Sequence, residues 1–383
     1  MIRRHIRIFA IATGLFMTAA ACGSGSDTTT TAGQDTTTTA GEETTTTAGE
    51  DTTTTAAEDT TTTEAASEEL VPVELALAWF PSPEYGGVYA ALTQGYFEDE
   101  GLDVTVTPGG PGVSIVQVVG SGQADLGMIA NDTQLMLAAT EDIPVSLLST
   151  TYQEYPSGIL FHKSNPLTTL ADMHDRDVYG TIDDPDARWL EYTYDTVRNN
   201  TYIPWSIANF AADETAAIQA YITNNVPILT DMGVDVGYLP ISTSGINPYN
   251  GPVFGMHDYI EANQETVTAL LTALANGWVY YRNNYAEINE YIHTLEGTAE
   301  TEVNDIIAQA QDGFIYTNSD GEPMPIGVME EARVRDDYDK YIEAGIIEPF
   351  DFEPFVEFLD LAPTDIMPPE LTVTPTYVLP PPG

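Results

Sequence analysis

The sequence is poor in cysteine and in basic residues. Its 383 residues include one Cys, 11 Lys and Arg and 59 Asp and Glu, which gives a formal net charge of -48. A single Cys excludes a disulfide framework and a thiolate-rich zinc or iron–sulfur site. The scarcity of Lys and Arg argues against nucleic acid as a partner, because phosphate binding needs clustered basic side chains. The five His residues are too dispersed for a zinc site, so we predict neither a metal ion nor a cofactor.

The N-terminal residues have the pattern of an export signal. Three Arg within the first seven residues precede an apolar run over residues 8–21, which is too short to span a bilayer. Residues 18–22 resemble a bacterial lipobox, in which the signal is cut before a Cys that carries lipid. We therefore predict a signal peptide over residues 1–21 and lipidation at Cys22. The alternative is an ordinary Ala-x-Ala cleavage that leaves a free thiol.

An eight-residue repeat follows the predicted signal peptide. Residues 27–34 read DTTTTAGQ, and related units begin at residues 35, 43, 51 and 59. The repeat has no aromatic residue and nothing apolar larger than Ala, so it cannot bury enough surface to fold. Residues 22–69 are therefore predicted to be a disordered tether, with a root-mean-square span of about 40 Å, that holds a folded domain away from a membrane.

The remainder of the chain is strongly acidic. From residue 70 onward it contains eight Lys and Arg against 48 Asp and Glu. Mutual repulsion among so many carboxylates destabilises a compact state at low ionic strength, and dissolved salt screens that repulsion. The composition fits either a saline habitat or a general requirement for solubility.

Strand and helix patterns alternate along this acidic part. Alternating apolar residues or short apolar runs predict strands, and longer amphipathic stretches predict helices. Strands are predicted at residues 71–79, 102–106, 124–129, 145–150, 158–162 and 178–182, and helices at residues 86–101, 113–119, 133–139, 188–197, 259–284, 285–292, 301–310 and 329–344. Such alternation predicts an α/β fold with parallel sheets covered by helices.

The order of the predicted elements indicates two lobes. Two α/β units followed by a helical return are typical of lobes that are joined by crossing hinge strands and bind ligand in the cleft between them. The folded domain is expected over residues 70–362, with lobe 1 at about 70–157 and 250–362 and lobe 2 at about 158–249. The Pro-rich residues 363–383 are expected to form a loose tail.

Two segments near the start of the folded part resemble a known family. They are residues 78–91 (AWFPSPEYGGVYAA) and 95–104 (GYFEDEGLDV), and weaker matches follow at residues 122–127, 219–224 and 258–263. The family comprises extracellular solute-binding proteins of bacterial ABC importers, in the branch for thiamine-pyrimidine precursors and related heterocycles. That branch shares its fold with nitrate, sulfonate, taurine and riboflavin binders. The resemblance covers residues 72–345 and implies a type II periplasmic-binding-protein fold.

Two positions depart from the pattern of this family. Ser82 and Tyr85 stand where the pyrimidine binders commonly have Asn and His, so the resemblance leaves the ligand open. The same fold occurs in the fungal thiamine-pyrimidine synthase, which uses a cysteine-rich iron motif. Because the one Cys of this chain lies at the end of the predicted signal, the resemblance favours a binding protein over an enzyme.

The candidate ligand-binding residues follow the ends of predicted strands, where α/β folds bind ligands. Aromatic side chains at such places are suited to stack on a heterocycle. Asn and Asp beside a helix start are also explained by capping alone, and a role in capping the sheet is the alternative for Trp79. The candidates are Trp79, Phe80, Ser82, Tyr85, Asn131, Asp132, Tyr152, Gln153, Asp184, Trp189, Tyr221, Thr223 and Asn224.

The resulting hypothesis is a monomeric, lipid-anchored binding protein outside the cell membrane. It would capture a small heteroaromatic nutrient, such as a thiamine-pyrimidine precursor or a riboflavin-like compound, and deliver it to an ABC permease. The scarcity of basic residues disfavours a sulfonate, taurine or nitrate-type anion as the ligand. The sequence also leaves open a pyrimidine-synthesising enzyme and a surface sensor of the same fold, both of which it favours less than the binding protein.

Overall fold

A computed structural model of the protein describes residues 69–110, 112–182, 184–195, 201–295 and 300–382. The predicted signal peptide, the predicted lipidation site Cys22 and the repeat up to residue 68 lie outside the described residues. Among the helices within the described ranges, none is both long and apolar enough to cross a membrane.

The described residues form ten strands and thirteen α-helices. The strands are β1 (Val71–Ala76), β2 (Leu102–Thr107), β3 (Leu126–Met128), β4 (Val145–Ser149), β5 (Ser157–His162), β6 (Val178–Tyr179), β7 (Tyr202–Ile203), β8 (Ala217–Tyr221), β9 (Val236–Pro240) and β10 (Val253–Met256). The helices are α1 (Gly86–Gln94), α2 (Tyr96–Asp99), α3 (Ile115–Gly120), α4 (Asp132–Thr140), α5 (Pro185–Tyr194), α6 (Ile207–Ala212), α7 (Ile222–Asp231), α8 (His257–Ala262), α9 (Gln264–His293), α10 (Thr301–Ala310), α11 (Asp312–Ile315), α12 (Glu331–Glu343) and α13 (Phe352–Val356).

The strands form two five-stranded sheets, one in each lobe. The sheet of lobe 1 has the order β2-β1-β3-β10-β4, and the sheet of lobe 2 has the order β7-β6-β8-β5-β9. The chain crosses from lobe 1 to lobe 2 at residues 150–156 and returns at residues 241–252. The predicted α/β class and the two lobes are therefore confirmed.

The prediction of parallel sheets was wrong for the strands that lie next to the crossings. Strand β1 runs parallel to β2 and β3, but β10 runs antiparallel to β3 and β4. In lobe 2, β5 runs antiparallel to β8 and β9. These two strands follow crossings rather than helices of their own sheet, so each enters its sheet in the opposite direction.

Close packing of α1 on the long helix α9 holds the first part of lobe 1 in place. Gly87 lies so near α9 that an added Cβ would be 2.4 Å from the Trp278 ring, and a Cβ on Gly277 would be 2.0 Å from the carbonyl oxygen of Gly87. Trp278 and Tyr281 are buried in the same core. Because both glycines leave no room for a side chain, the start of α1 has a fixed position on the body of the lobe.

Helix α9 bends where the sequence predicts a boundary between two helices. Asn284 has φ −127° and ψ 22°, which is outside the helical region, although hydrogen bonding continues on both sides of it. A separate short helix, α8, precedes α9 and ends before Asn263. The prediction of two successive helices meeting at residues 284 and 285 matches this kink.

The Pro-rich tail is hydrogen-bonded to both lobes, in contrast to the loose tail expected from composition. The side chain of Gln309 accepts bonds from the backbone N–H of Thr376 (2.6 Å) and Tyr377 (3.0 Å). The hydroxyl of Tyr238, in lobe 2, donates to the carbonyl of Pro380 at 2.7 Å. Proline lacks an N–H but keeps its carbonyl, so an extended Pro-rich segment accepts bonds from side chains of the body.

Candidate functional site

A cavity of about 680 Å³ lies between the two lobes and is lined by residues of both. Lobe 1 contributes the segment after β1, the start of α3 and residues along α4, while lobe 2 contributes the end of β8 and the start of α7. The two crossings form part of the lining through Tyr152 and Asn250. The cavity therefore occupies the position at which a two-lobed α/β protein binds a ligand. We refer to it below as the cleft.

The lobe 1 wall is built by the turn between β1 and α1. Trp79 follows the strand and remains 38% exposed, with its side chain on the cleft. The 3-10 turn Pro83–Tyr85 then carries Glu84 and Tyr85 into the lining. Since α1 begins directly after this turn and is packed tightly on α9, the turn is held by a rigid support.

The lobe 2 wall is built by the end of β8 and the segment that leads into α6. Tyr221 ends the strand, and Asn224 lies in the first turn of α7. Trp205 is 46% exposed and lines the same cleft, and its indole N–H donates to the carbonyl of Gln219 at 3.0 Å. Aromatic side chains thus reach the cleft from both lobes.

A buried carboxylate supports the lobe 2 wall from behind. Asp186, in the first turn of α5, accepts bonds from the hydroxyls of Tyr155 (2.7 Å) and Ser157 (3.0 Å) and from the amide of Gln219 (2.9 Å). Ser157 and Gln219 both line the cleft. These bonds fix the orientation of two polar lining residues before any ligand enters.

Three polar contacts join the lobes at the cleft. The Asn224 amide of lobe 2 donates to Oε1 of Glu84 of lobe 1 at 3.1 Å. The Asn250 amide, in the return crossing, donates to the hydroxyl of Tyr221 at 2.6 Å, and that hydroxyl lies 3.4 Å from the Ala130 carbonyl. The lobes are therefore in direct contact through side chains that also line the binding space.

Burial governs the electrostatics of the cleft. It raises the pKa of Glu84 to about 7, with the hydrogen bond from Asn224 acting in the opposite direction. Burial also raises the pKa of Tyr85 and of Tyr152 well above the ordinary value. The tyrosine hydroxyls are consequently neutral at physiological pH and can both donate and accept hydrogen bonds.

Buried carboxyl groups also lie outside the cleft lining, at the start of α4 and on α12. Asp132 is fully buried, and its Oδ2 accepts from the N–H of Tyr249 at 3.3 Å. Within the part of the chain that the structure describes, its Oδ1 has no hydrogen-bond partner. Burial, followed by the nearby charge of Asp337, raises the pKa of Asp132 to about 8. Burial also raises the pKa of Asp337, to about 6. Asp132 therefore favours the neutral form at neutral pH, whereas Asp337 favours it only in mildly acidic solution, below about pH 6.

Five of the sequence-predicted site residues line the cleft together. They are Trp79, Tyr85, Tyr152, Tyr221 and Asn224. They come from the first strand-to-helix turn, the outgoing crossing and the end of β8, so the structure brings together residues up to 145 positions apart. Their contact with a ligand remains a prediction.

Four further candidates lie near the cleft without lining it. Phe80 is 39% exposed and its ring packs edge-on against Trp79 with centroids 5.5 Å apart. The Ser82 hydroxyl and the Thr223 hydroxyl are buried and have no hydrogen-bond partner among the described residues. Gln153 is buried and its amide donates to the Val328 carbonyl at 2.9 Å.

The four remaining candidates have structural partners of their own. Asn131 caps α4 by accepting from the N–H of Gln134, and Asp184 caps α5 by accepting from the N–H of Asp186. Trp189 is buried and donates to the hydroxyl of Ser244 at 2.9 Å. Asp132 accepts from Tyr249 as described above. Helix capping, which the sequence offered as the alternative explanation for the Asn and Asp residues, accounts for two of these positions.

The sequence reasoning missed nine polar or aromatic lining residues. Four of them are Glu84, Trp205, Gln219 and Asn250, and the others are Ser114, Gln117, Gln134, Ser157 and Asn225. Glu84 and Gln219 lie inside segments that carry the family resemblance, so their location in those segments could have identified them as candidates. Trp205 and Asn250 belong to connecting segments, and only the folded structure brings them to the cleft.

Two sheets joined by two crossings, with a cleft between them, define the class of periplasmic-binding-protein-like folds. The Escherichia coli periplasmic aliphatic sulphonate binding protein SsuA shares this fold: it superposes with a TM-score of 0.57 over 74% of this chain and 91% of SsuA, at 12% sequence identity. The Synechocystis nitrate-binding protein NrtA superposes with a TM-score of 0.51 over 76% of this chain and 86% of NrtA, at 15% identity. Likeness at such low identity establishes the fold alone.

The sequence profile of the family described as NMT1/THI5 like matches residues 82–288, and the chain belongs to this family. A formylaminopyrimidine-binding protein of Halalkalibacterium halodurans is 26% identical over 244 residues, which cover 61% of this chain and 73% of that protein. A 4-amino-5-hydroxymethyl-2-methylpyrimidine phosphate synthase of Saccharomyces cerevisiae is 27% identical over 96 residues, which cover only 28% of the synthase. The resemblance stated from the sequence is confirmed.

Proposed function

We propose that this protein is the solute-binding component of an ABC importer and holds a small heteroaromatic solute between its lobes. The observation that carries this proposal is the cleft itself, which has about 680 Å³ of space with Trp79 on one wall and Trp205 on the other. This volume is within the range of small-molecule sites, and exposed indole rings supply flat surfaces for stacking.

Lobe closure around the solute is the proposed mechanism. Polar lining groups come from both lobes, among them Glu84 and Tyr85 on one side and Tyr221 and Asn224 on the other. A solute that contacts both walls binds the closed arrangement more tightly than an open one, and so shifts the equilibrium toward closure. A permease that recognises the closed form then receives only loaded protein.

The family relatives support a pyrimidine-like solute. The substituents on its ring can differ from those of the relatives' ligands. The Halalkalibacterium relative is named for binding formylaminopyrimidine. In this chain Ser82 and Tyr85 replace residues common in pyrimidine binders, and Tyr85 lines the cleft. Among the described lining residues there is no Lys, Arg or His, which disfavours an anionic solute. A pyrimidine-synthesising role is disfavoured because the single Cys, Cys22, provides no cysteine-rich iron motif.

Export and anchoring complete the proposal. Residues 1–21 act as a signal peptide, Cys22 carries the lipid, and the repeat up to residue 69 holds the binding domain away from the membrane. The proposed anchor is tested by Cys22→Ser, which is expected to move the protein from the membrane fraction to the soluble extracytoplasmic fraction. A variant that remains in the membrane fraction would contradict lipidation at this residue.

Ligand screening by thermal shift tests the proposed function. Purified protein is heated with thiamine-pyrimidine precursors, riboflavin, taurine, an alkanesulfonate and nitrate, and positive results are repeated by titration calorimetry. A ligand at 100 times its dissociation constant stabilises the folded state by about 2.7 kcal/mol, so a specific solute gives a clear rise in melting temperature. Stabilisation by an anion alone would overturn the heteroaromatic assignment, and turnover of a bound pyrimidine would overturn the transport role.

A further inference from the structure

The described residues that line the cleft include a single formally charged side chain. Of the described residues that line it, Glu84 is the sole acidic one, and none is Lys, Arg or His. This composition is unusual for a chain with 48 Asp and Glu after residue 69. A lone carboxylate on the wall of the cleft favours a positively charged solute over an anionic one.

The surroundings of Glu84 leave its carboxylate able to accept more hydrogen bonds. Its described side-chain partner is Asn224, which donates to Oε1 at 3.1 Å. A carboxylate has about four acceptor positions, so one amide bond occupies only part of its capacity. Burial raises the pKa of this carboxyl to about 7, which means that the ionised form lacks a compensating positive charge.

The aromatic side chains of the walls favour a cation, as the carboxylate does. The faces of indole rings carry partial negative charge and attract cations. Trp79 and Trp205 line the same cleft as Glu84, and both remain partly exposed within it. A flat cation therefore gains from stacking and from the carboxylate together, whereas an anion is opposed by both.

We infer that the solute carries a basic, hydrogen-bond-donating nitrogen, such as an amine or amidine on a flat ring, and that Glu84 selects it by a charge-assisted hydrogen bond. This inference rests on the solute-binding role proposed above. It names the chemical class that the cleft prefers and makes Glu84 the residue that determines charge specificity.

An isosteric series of flat probes tests the inference. Benzamidine, benzamide and benzoate have nearly the same shape and carry positive, zero and negative charge. Their affinities are measured by calorimetry at pH 8 for the wild-type protein, for Glu84→Gln, and for the control Glu74→Gln, which changes an exposed side chain on β1. Gln retains an oxygen that accepts the Asn224 bond while it removes the charge, and unchanged melting temperatures establish that each variant is folded.

The expected result is that wild-type protein binds benzamidine at least tenfold more tightly than benzamide, with benzoate weakest. Glu84→Gln is expected to weaken benzamidine at least tenfold and to abolish the preference, and Glu74→Gln to change neither. Equal binding of benzamide and benzamidine, or unchanged benzamidine affinity in Glu84→Gln, would overturn this inference and leave the binding role intact. Failure of these probes and of every heteroaromatic solute in the thermal-shift screen to bind would remove the proposed function as well.

Discussion

The cleft and the outer surface of this protein differ sharply in charge. After residue 69 the chain has 48 acidic and eight basic residues, yet the described cleft lining has one acidic and no basic residue. Among the described acidic side chains, three are buried, namely those of Asp132, Asp186 and Asp337. Most acidic side chains are therefore in contact with water and salt. In the described lining of the cleft, aromatic side chains and one carboxylate are available to bind the solute.

The largest expected effect concerns the support beneath the cleft wall. Gly277→Ala places a Cβ 2.0 Å from the Gly87 carbonyl oxygen, so α1 and α9 must move apart. We expect a loss of about 3 kcal/mol in the free energy of unfolding, measured by chemical denaturation. The matched control is Gly313→Ala at an exposed position of α11, where an added Cβ meets nothing within 4 Å and stability is expected to change by less than about 1 kcal/mol. Equal losses in both variants would show that the wall needs no such close packing.

Substitution of two neighbouring aromatic residues tests whether the cleft, and not the adjoining surface, binds the solute. Trp79 and Phe80 are 38% and 39% exposed, but Trp79 alone of the two lines the cleft. Trp79→Ala is expected to weaken binding of the tightest heteroaromatic solute about 30-fold, or about 2 kcal/mol, because stacking area is lost. Phe80→Ala is expected to weaken it less than about threefold. Calorimetric titration of both variants measures the difference, and a larger effect from Phe80→Ala would place the solute elsewhere.

Stability at alkaline pH separates buried from exposed carboxyl groups. Burial raises the pKa of Asp132 to about 8 in the folded state, above its value in the unfolded chain. Its contribution to stability is therefore fully present below the unfolded pKa and is lost as pH rises through about 8. The advantage of Asp132→Asn over wild type is expected to grow by at least about 1.5 kcal/mol between pH 5 and pH 9.

The exposed Asp103→Asn on β2 is the control for this pH series. Its stability relative to wild type is expected to stay within about 0.5 kcal/mol over the same range. Denaturation midpoints of the three proteins at each pH provide the measurement. Parallel pH profiles for wild type and Asp132→Asn would contradict the assigned role of the buried carboxyl.

The smallest expected effect is that of salt concentration. Salt is expected to change the stability, which depends on the outer surface, more than the affinity of the cleft for a neutral solute. Raising NaCl from 50 mM to 1 M screens repulsion on the outer surface, and we expect the melting temperature to rise by about 3 °C. Affinity for a neutral solute is expected to change less than about threefold, because the described lining of the cleft has one charged side chain. A melting temperature that fails to rise would mean that surface repulsion contributes little to stability.

The sequence allowed the fold class to be predicted because its signals are local. Alternating apolar residues mark β1, and the helix predicted over residues 301–310 coincides with α10. The direction of β5 and β10 was predicted wrongly, since pairing between distant segments decides it. The predicted strand over residues 178–182 is shorter in the structure, Val178–Tyr179.

The candidate site was predictable in part. Trp79 and Tyr85 lie in a distinctive local motif next to a strand end, and both line the cleft. Asn131 and Asp184 are residue types expected of either a ligand contact or a helix cap, and both act as caps in the structure. Asn131 also donates to the Tyr155 hydroxyl, and Asp184 also accepts from the Gln219 amide. Trp205 and Asn250 reach the cleft only through tertiary folding, so no pattern in their own segments identifies them.

The hydrogen-bonded tail limits how far the lobes can separate at one edge. Gln309 on α10 holds Thr376, and Tyr238 on β9 holds Pro380. Thr376 and Pro380 are four positions apart in the sequence, and a fully extended chain of that length spans at most about 14 Å. While both bonds persist, the tail limits the separation of the two lobes at this edge. A wider opening of lobe 2 requires one of the two hydrogen bonds to break first.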